Sequence, residues 1–158
     1  MRNAIDRCTL AGHPAFAVSA SSYAWRHLRF DPPPGWRDDT LITLTAPGAA
    51  LNVTLSCEPR VGDLAAFAKA QEAALAAQRP PGYRALALEP VALGAHDAVV
   101  ADRELAGAGR APLFQRQAFV ALGGDVVIVT ATSSRSDREG AVDAVARIVS
   151  SLSIGARP

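Results

Sequence analysis

The chain has 158 residues, of which 49% are hydrophobic and 20% are charged. This is the length of one ordinary domain, and a disordered chain would carry fewer apolar residues and a larger net charge. Lys and Arg number 16 against 15 Asp and Glu, so the net charge is +1 and the basic surplus typical of nucleic-acid-binding proteins is absent. We therefore expect a folded protein without a nucleic acid partner.

The first 24 residues form a lead without clear periodicity. They hold no apolar stretch long enough for a signal peptide or membrane anchor, so we expect a cytoplasmic protein that does not insert into a membrane. The lead is either partly disordered or adds an edge strand. We predict a single domain over residues 25–154, followed by a tail at 155–158.

Three strands are predicted before the first helix. Residues 25–30 alternate in polarity, residues 40–45 are rich in β-branched side chains, and residues 51–57 alternate most clearly. A short link makes the last two strands an antiparallel pair. Cys57 falls on the apolar face of its strand, where we expect a small core residue, and we interpret Cys8 and Cys57 as reduced thiols.

The rest of the chain predicts two helices separated by four strands. Asp63 is a suitable N-cap for the first helix, which the prolines at positions 80 and 81 end. Four alternating or apolar runs follow, at residues 83–89, 97–105, 113–122 and 125–132. Ser136 and Glu139 match a capping box before a second helix. The order β-β-β-α-β-β-β-β-α predicts an α+β fold, with a mainly antiparallel sheet of six to seven strands and two packed helices.

Groups that could carry catalysis are scattered along the sequence. His96 and Asp97 are adjacent, but they fall in a predicted solvent-exposed turn. Asp38 and Asp39 are neighbours on extended chain and therefore point apart. Neither a phosphate-binding glycine loop nor a nucleophile motif occurs. We expect no enzymatic activity, no metal site and no cofactor.

One strand face combines apolar residues with uncharged polar residues. Strand alternation places the following residues on such faces of three strands: Leu41 and Thr43; Asn52 and Thr54; Gln115, Gln117 and Phe119. This face lies opposite the apolar residues that are expected to contact the helices. A solvated antiparallel sheet also carries short polar residues, so the pattern is compatible with either a solvated face or a groove for an apolar helix.

A resemblance covers the stretch from Leu28 to Ile154. It rests on the order and spacing of these residues: Pro34-x-Trp36-x-Asp38, Arg60, Pro81-Gly82-Tyr83, Leu93-Gly94, Gln115-x-Gln117, Val127 to Thr132 and Ser150-Ser151-Leu152. In these features the chain resembles the PsbP/DcrB-like family, and within it most closely the Eag proteins, the effector-associated chaperones of type VI secretion.

The resemblance implies a cytosolic chaperone that is itself a homodimer. Its partner would be a secretion effector with N-terminal transmembrane segments, held in a hydrophobic sheet groove before loading on the spike protein. Leu41 and Thr43 match the family's groove positions, and alternation alone extends the groove to the other five residues. The alternative is a cytosolic interaction module of the same fold that contacts a soluble partner through its loops, at Arg60 or at residues 107–110.

Overall fold

The computed structural model describes residues 23–25, 28–30, 41–48, 50–78, 80–106 and 111–153, and it divides the chain into two units, residues 1–38 and 39–158. In the first unit, strand β1 (Tyr23–Trp25) pairs with β2 (Leu28–Phe30) in an antiparallel two-stranded sheet. The single strand predicted over residues 25–30 is therefore wrong, since two short strands pair here. Most of the predicted lead, and the tail at 155–158, lie outside the described residues.

The second unit contains a six-stranded sheet in which all neighbours are antiparallel. Its strands are β3 (Ile42–Thr45), β4 (Asn52–Pro59), β5 (Arg84–Leu93), β6 (His96–Ala106), β7 (Pro112–Leu122) and β8 (Asp125–Ser134). Their order across the sheet is β3-β4-β8-β7-β6-β5. The last four strands follow one another as hairpins, and the β3–β4 hairpin joins them by pairing β4 with β8. The predicted α+β fold with a mainly antiparallel sheet is confirmed.

Two helices pack on this sheet, and their N-termini differ. Helix α1 (Leu64–Ala77) begins as predicted, because the Asp63 carboxylate accepts a hydrogen bond of 3.1 Å from the Ala66 amide. Helix α2 (Arg138–Ser150) follows a 3₁₀ turn over Arg135–Asp137 and has no side-chain cap. The predicted capping box is therefore wrong: the turn places Ser136 before the helix, where its hydroxyl lies 3.0 Å from that of Ser134.

The helices pack on opposite faces of the sheet. Helix α2 covers one face. Between this helix and the sheet lies a core of aliphatic residues with Phe114. Helix α1 covers part of the other face, where Ala68 and Phe67 contact a smaller cluster that includes Phe119 and Ile128. The expected face free of helices is thus only partly free. We call the two surfaces the α2 face and the α1 face.

Two further expectations need correction. Cys57 lies near the end of β4 and is exposed, so it is not the small core residue that strand alternation predicted. His96 opens β6 and is half-buried, and its Nε2 atom lies 3.0 Å from the Leu152 carbonyl oxygen beyond α2. The preceding turn packs tightly on α2, since a Cβ atom at Gly94 (φ +63°) would lie 2.7 Å from the Ser150 Cβ.

Candidate functional site

The seven residues predicted from strand alternation share the α1 face. The register places them in three neighbouring rows that cross the strands: Leu41 and Phe119 with Ser56 and Ile128 between them; Thr43, Thr54 and Gln117 with Thr130; Asn52 and Gln115 with Thr132. Leu41 directly precedes β3, so alternation continues the first row to it. The backbone therefore brings together residues from three strands that are distant in sequence.

Phe119 is not part of the accessible surface. Its side chain is 0% exposed, and its ring lies edge-on to Phe67 of α1 with centroids 6.0 Å apart. The expectation that Phe119 lines an open groove is corrected by this contact. The sequence did not reveal it, because an Ala-rich helix does not indicate which face of a sheet it covers.

A buried arginine links α1 to the remaining polar residues. Arg103 of β6 is 2% exposed, and its Nη1 atom donates to the Glu72 carboxylate of α1 at 2.6 Å. The Tyr83 hydroxyl donates to the other oxygen of Glu72. Burial lowers the pKa of Arg103, and the Glu72 carboxylate opposes that shift. A guanidinium nevertheless remains charged at neutral pH, so Arg103 acts as a fixed donor.

Gln115 and Gln117 continue this network across the sheet. Their side-chain oxygens accept hydrogen bonds from Arg103, at 2.7 Å for Gln115 and 2.6 Å for Gln117. Their side-chain nitrogens donate to Thr132 at 3.0 Å and to Thr130 at 2.9 Å, respectively. Both glutamines are therefore held in one orientation by residues of this chain. Strand alternation alone did not point to the other members of this network, which are Arg103, Glu72, Tyr83, Thr130 and Thr132. The available signal was the position of Arg103 beside Gln115 in an antiparallel hairpin.

Beyond the threonines of β8, the α1 face is open. We define the open strip as Thr43, Thr45, Asn52, Thr54, Thr130 and Thr132, which are exposed or half-buried and uncharged. The strip ends at β3, the edge strand, where large apolar side chains reach solvent. Leu41, which is 59% exposed, lies on the same face as the strip, whereas Ile42 and Leu44, which are 52% and 49% exposed, point to the α2 face of this edge strand. The part of the predicted site that remains accessible is thus Leu41, Thr43, Asn52 and Thr54, with Gln115 and Gln117 behind it.

On the α2 face, β6 buries a carboxylate next in sequence to the buried Arg103 of the α1 face. Asp102 is 1% exposed and accepts two hydrogen bonds from Arg116, at 2.7 and 2.6 Å. This pairing raises the pKa of Arg116. Arg138 of α2 lies 3.4 Å from the same carboxylate, and its guanidinium carbon lies 4.9 Å from the centre of the Phe114 ring.

A concave feature lies at the start of α1, away from the open strip. It is a cleft of about 540 Å³ lined by eight residues that include Arg60, Asp63, His96 and Asp97.

Within the described ranges, no three His, Cys, Asp or Glu side chains gather in a way that could hold a metal ion. Of the helices in the described part of the chain, neither has the length and apolar character needed to cross a membrane.

Comparison with known proteins identifies one family, and the solved structures that match this chain include the two described below. The family model for DcrB matches residues 28–151. PA94 from Pseudomonas aeruginosa, a protein of unknown function and candidate regulator, is 20% identical; the match covers 87% of this chain and 98% of that one, with a TM-score of 0.66. LpqN of Mycobacterium tuberculosis, which is involved in cell envelope biogenesis, is 17% identical over 63% of this chain and 60% of its own, with a TM-score of 0.48. Among curated proteins, none matches this chain.

Proposed function

Because the chain belongs to the DcrB family, we propose that the open strip and its apolar edge form a binding surface for an apolar helix of another protein. In this proposal the chain is a non-enzymatic cytoplasmic chaperone of type VI secretion. It binds the N-terminal transmembrane helices of an effector, as a homodimer, and keeps them soluble until they are loaded on the spike protein.

The observation that carries the proposal is the composition of the accessible surface. Six uncharged polar residues share this face with Leu41, which is 59% exposed. Ile42 and Leu44 are exposed along the same edge strand but point to the α2 face. Solvated sheet faces more often carry charged side chains, which would oppose contact with a helix that has none. On the α1 face, Arg103 is buried and paired with Glu72, and Glu58 lies outside the strip and accepts a hydrogen bond from Gln71 of α1.

The energetic reason for such a surface is the cost of leaving a transmembrane segment in water. A segment of about 20 apolar residues aggregates or enters the wrong membrane. Covering part of it contributes roughly 25 cal/mol for each Å² of apolar surface removed from water. The hydroxyl and amide groups of the strip would hydrogen-bond the small polar residues of the helix, which otherwise cost about 1–3 kcal/mol each when buried unpaired.

The proposal is tested with the full chain and a synthetic helix of about 20 Leu and Ala residues flanked by lysines. We expect the wild-type protein to keep this peptide in the supernatant after centrifugation. Leu41→Lys and Thr43→Lys should abolish this effect and leave the free energy of unfolding within about 0.5 kcal/mol of wild type, since both sites are exposed.

Leu88→Lys is the matched control. Leu88 is 40% exposed on β5, at the opposite edge of the same sheet, so this variant should hold the peptide as the wild type does. If the wild type leaves the peptide to sediment, or if both Leu41→Lys and Thr43→Lys still hold it in the supernatant, the proposed surface is wrong. The alternative of a soluble partner would then be examined through Arg60→Ala, since residues 107–110 lie outside the described residues.

The link to secretion needs a separate experiment in cells. We expect the full chain, when co-expressed with a secretion effector that has N-terminal apolar helices, to raise the soluble yield of that effector. The Leu41→Lys variant should not raise it, and removal of the effector's apolar helices should make its yield independent of the chaperone.

A further inference from the structure

The hydrogen-bond network behind the open strip has a fixed direction. Arg103 has only donors, so the Gln115 and Gln117 atoms that contact it must be the side-chain oxygens. The amide nitrogens therefore point the other way, toward Thr132 and Thr130. This orientation follows from the chemistry of arginine and holds for as long as Arg103 stays in place.

The direction of the network determines what the two threonines present to a ligand. Each hydroxyl oxygen accepts a hydrogen bond from a glutamine amide, so its own hydrogen remains available for donation. Within the described residues, the hydrogen bonds give neither hydroxyl an acceptor for that hydrogen. Each glutamine nitrogen also keeps a second N–H group. The unused hydrogens at this end of the strip, on both hydroxyl groups and both amides, are thus available for donation, and each hydroxyl oxygen keeps one further lone pair.

We propose that Arg103 determines the selectivity of the open strip, because it makes Thr130 and Thr132 donors that select an apolar helix carrying a hydrogen-bond acceptor on its contacting side. The inference rests on the proposed function and adds to it the chemistry of the partner: a hydroxyl, ether or carbonyl oxygen within the apolar stretch. Arg103 contacts no partner in this scheme; it positions the two glutamines that do the orienting.

Three peptides test the direction of the bond. Each is the lysine-flanked Leu/Ala helix with one central residue changed, and the three carry Ala, Ser or O-methylserine, whose ether oxygen accepts but cannot donate. With the full-length wild-type protein, we expect the Ser and O-methylserine peptides to bind about three- to tenfold more tightly than the Ala peptide, as one added hydrogen bond gives. Binding is measured by fluorescence anisotropy at constant detergent.

Gln115→Glu and Gln117→Glu reverse the direction without changing the shape of the side chain. A carboxylate still accepts from Arg103, but its second oxygen now requires the threonine hydroxyl to donate to it. In at least one of the two variants, the O-methylserine peptide should lose its gain over the Ala peptide. The Ser peptide should keep its gain, because its own hydroxyl can donate to the threonine oxygen. Gln78→Glu, on the exposed end of α1, is the control for the added charge and should bind as the wild type does.

The outcomes separate the two proposals. If the wild type binds none of the three peptides, the proposed function fails and this inference fails with it. If the wild type binds all three with equal affinity, or if both glutamate variants keep the gain for O-methylserine, the function stands and the assigned direction is overturned. Urea unfolding of each variant confirms that the compared proteins are folded.

Discussion

The two faces of the six-stranded sheet each bury one charged residue of β6, and the two residues are neighbours in sequence. Asp102 points to the α2 face and pairs with Arg116 and Arg138, beside a core of aliphatic side chains. Arg103 points to the α1 face and pairs with Glu72, but it also holds two neutral amides that lead to the surface. The Asp102 network ends in charged groups of this chain. The Arg103 network ends in the hydroxyl groups of Thr130 and Thr132, which remain available to donate a hydrogen bond. In the proposed function, the Arg103 network therefore faces the bound helix, whereas the Asp102 network lies within the protein's own core.

The largest expected effect on stability comes from Asp102→Ala. Removing this carboxylate leaves Arg116 without its partner in a mostly buried setting, which costs about 3–5 kcal/mol. Urea unfolding measures the loss, and binding of the Ser peptide by the folded protein should not change, because the altered site lies on the other face. Asp143→Ala, at an exposed position of α2, is the control and should stay within about 0.5 kcal/mol of wild type. If Asp102→Ala also lowered the free energy of unfolding by no more than about 0.5 kcal/mol, the contrast between the two faces would be wrong.

The contact between Phe67 and Phe119 gives the next largest effect. Phe67→Ala removes a half-buried ring that packs edge-on against Phe119, and we expect a loss of about 2–3 kcal/mol in the free energy of unfolding. A double-mutant cycle with Phe119→Ala isolates the pair, with a coupling of about 0.5–1.5 kcal/mol. Additive losses would mean that α1 does not cover this part of the face in solution.

The smallest effect concerns Tyr83 and depends on pH. Burial, with the hydrogen bond to Glu72, raises the pKa of Tyr83 to about 12. An unfolded chain loses the phenol proton near pH 10, which the folded chain keeps until about pH 12. Unfolding therefore releases a proton in this window, and the free energy of unfolding falls as the pH rises through it.

Tyr83→Phe should make that pH dependence shallower and cost about 1 kcal/mol at pH 7, where the hydrogen bond to Glu72 is lost. Urea unfolding between pH 8 and pH 11.5 measures both quantities. An unchanged slope would show that Tyr83 takes no part in the network on the α1 face.

Strand alternation predicted the shared face of the candidate site because side chains on a strand have a strict period of two. Leu41, Asn52 and Gln117 lie on one face for that reason, although they come from three strands. The N-cap at Asp63 was also predictable, since it depends on a residue and its own helix.

The sequence could not show which face α1 covers or that a charged residue would be buried there. The burial of Arg103 depends on Glu72 of α1 and on Gln115 and Gln117 of β7, two elements that are distant in sequence. Cys57 is exposed although alternation places it on the apolar face of β4. Each of these properties is set by packing between distant segments, which a local pattern does not record.

The pairing of β4 with β8 has a consequence for the order in which the protein assembles. Strands β5 to β8 form consecutive hairpins, whereas the β3–β4 hairpin leaves the ribosome early and finds its partner only after β8 has been synthesised. Such long-range pairing is slow, and the aliphatic residues of β3 and β4 are exposed in the meantime. The strands proposed to shelter another protein's helix are thus the ones that spend longest unprotected during this protein's own biogenesis.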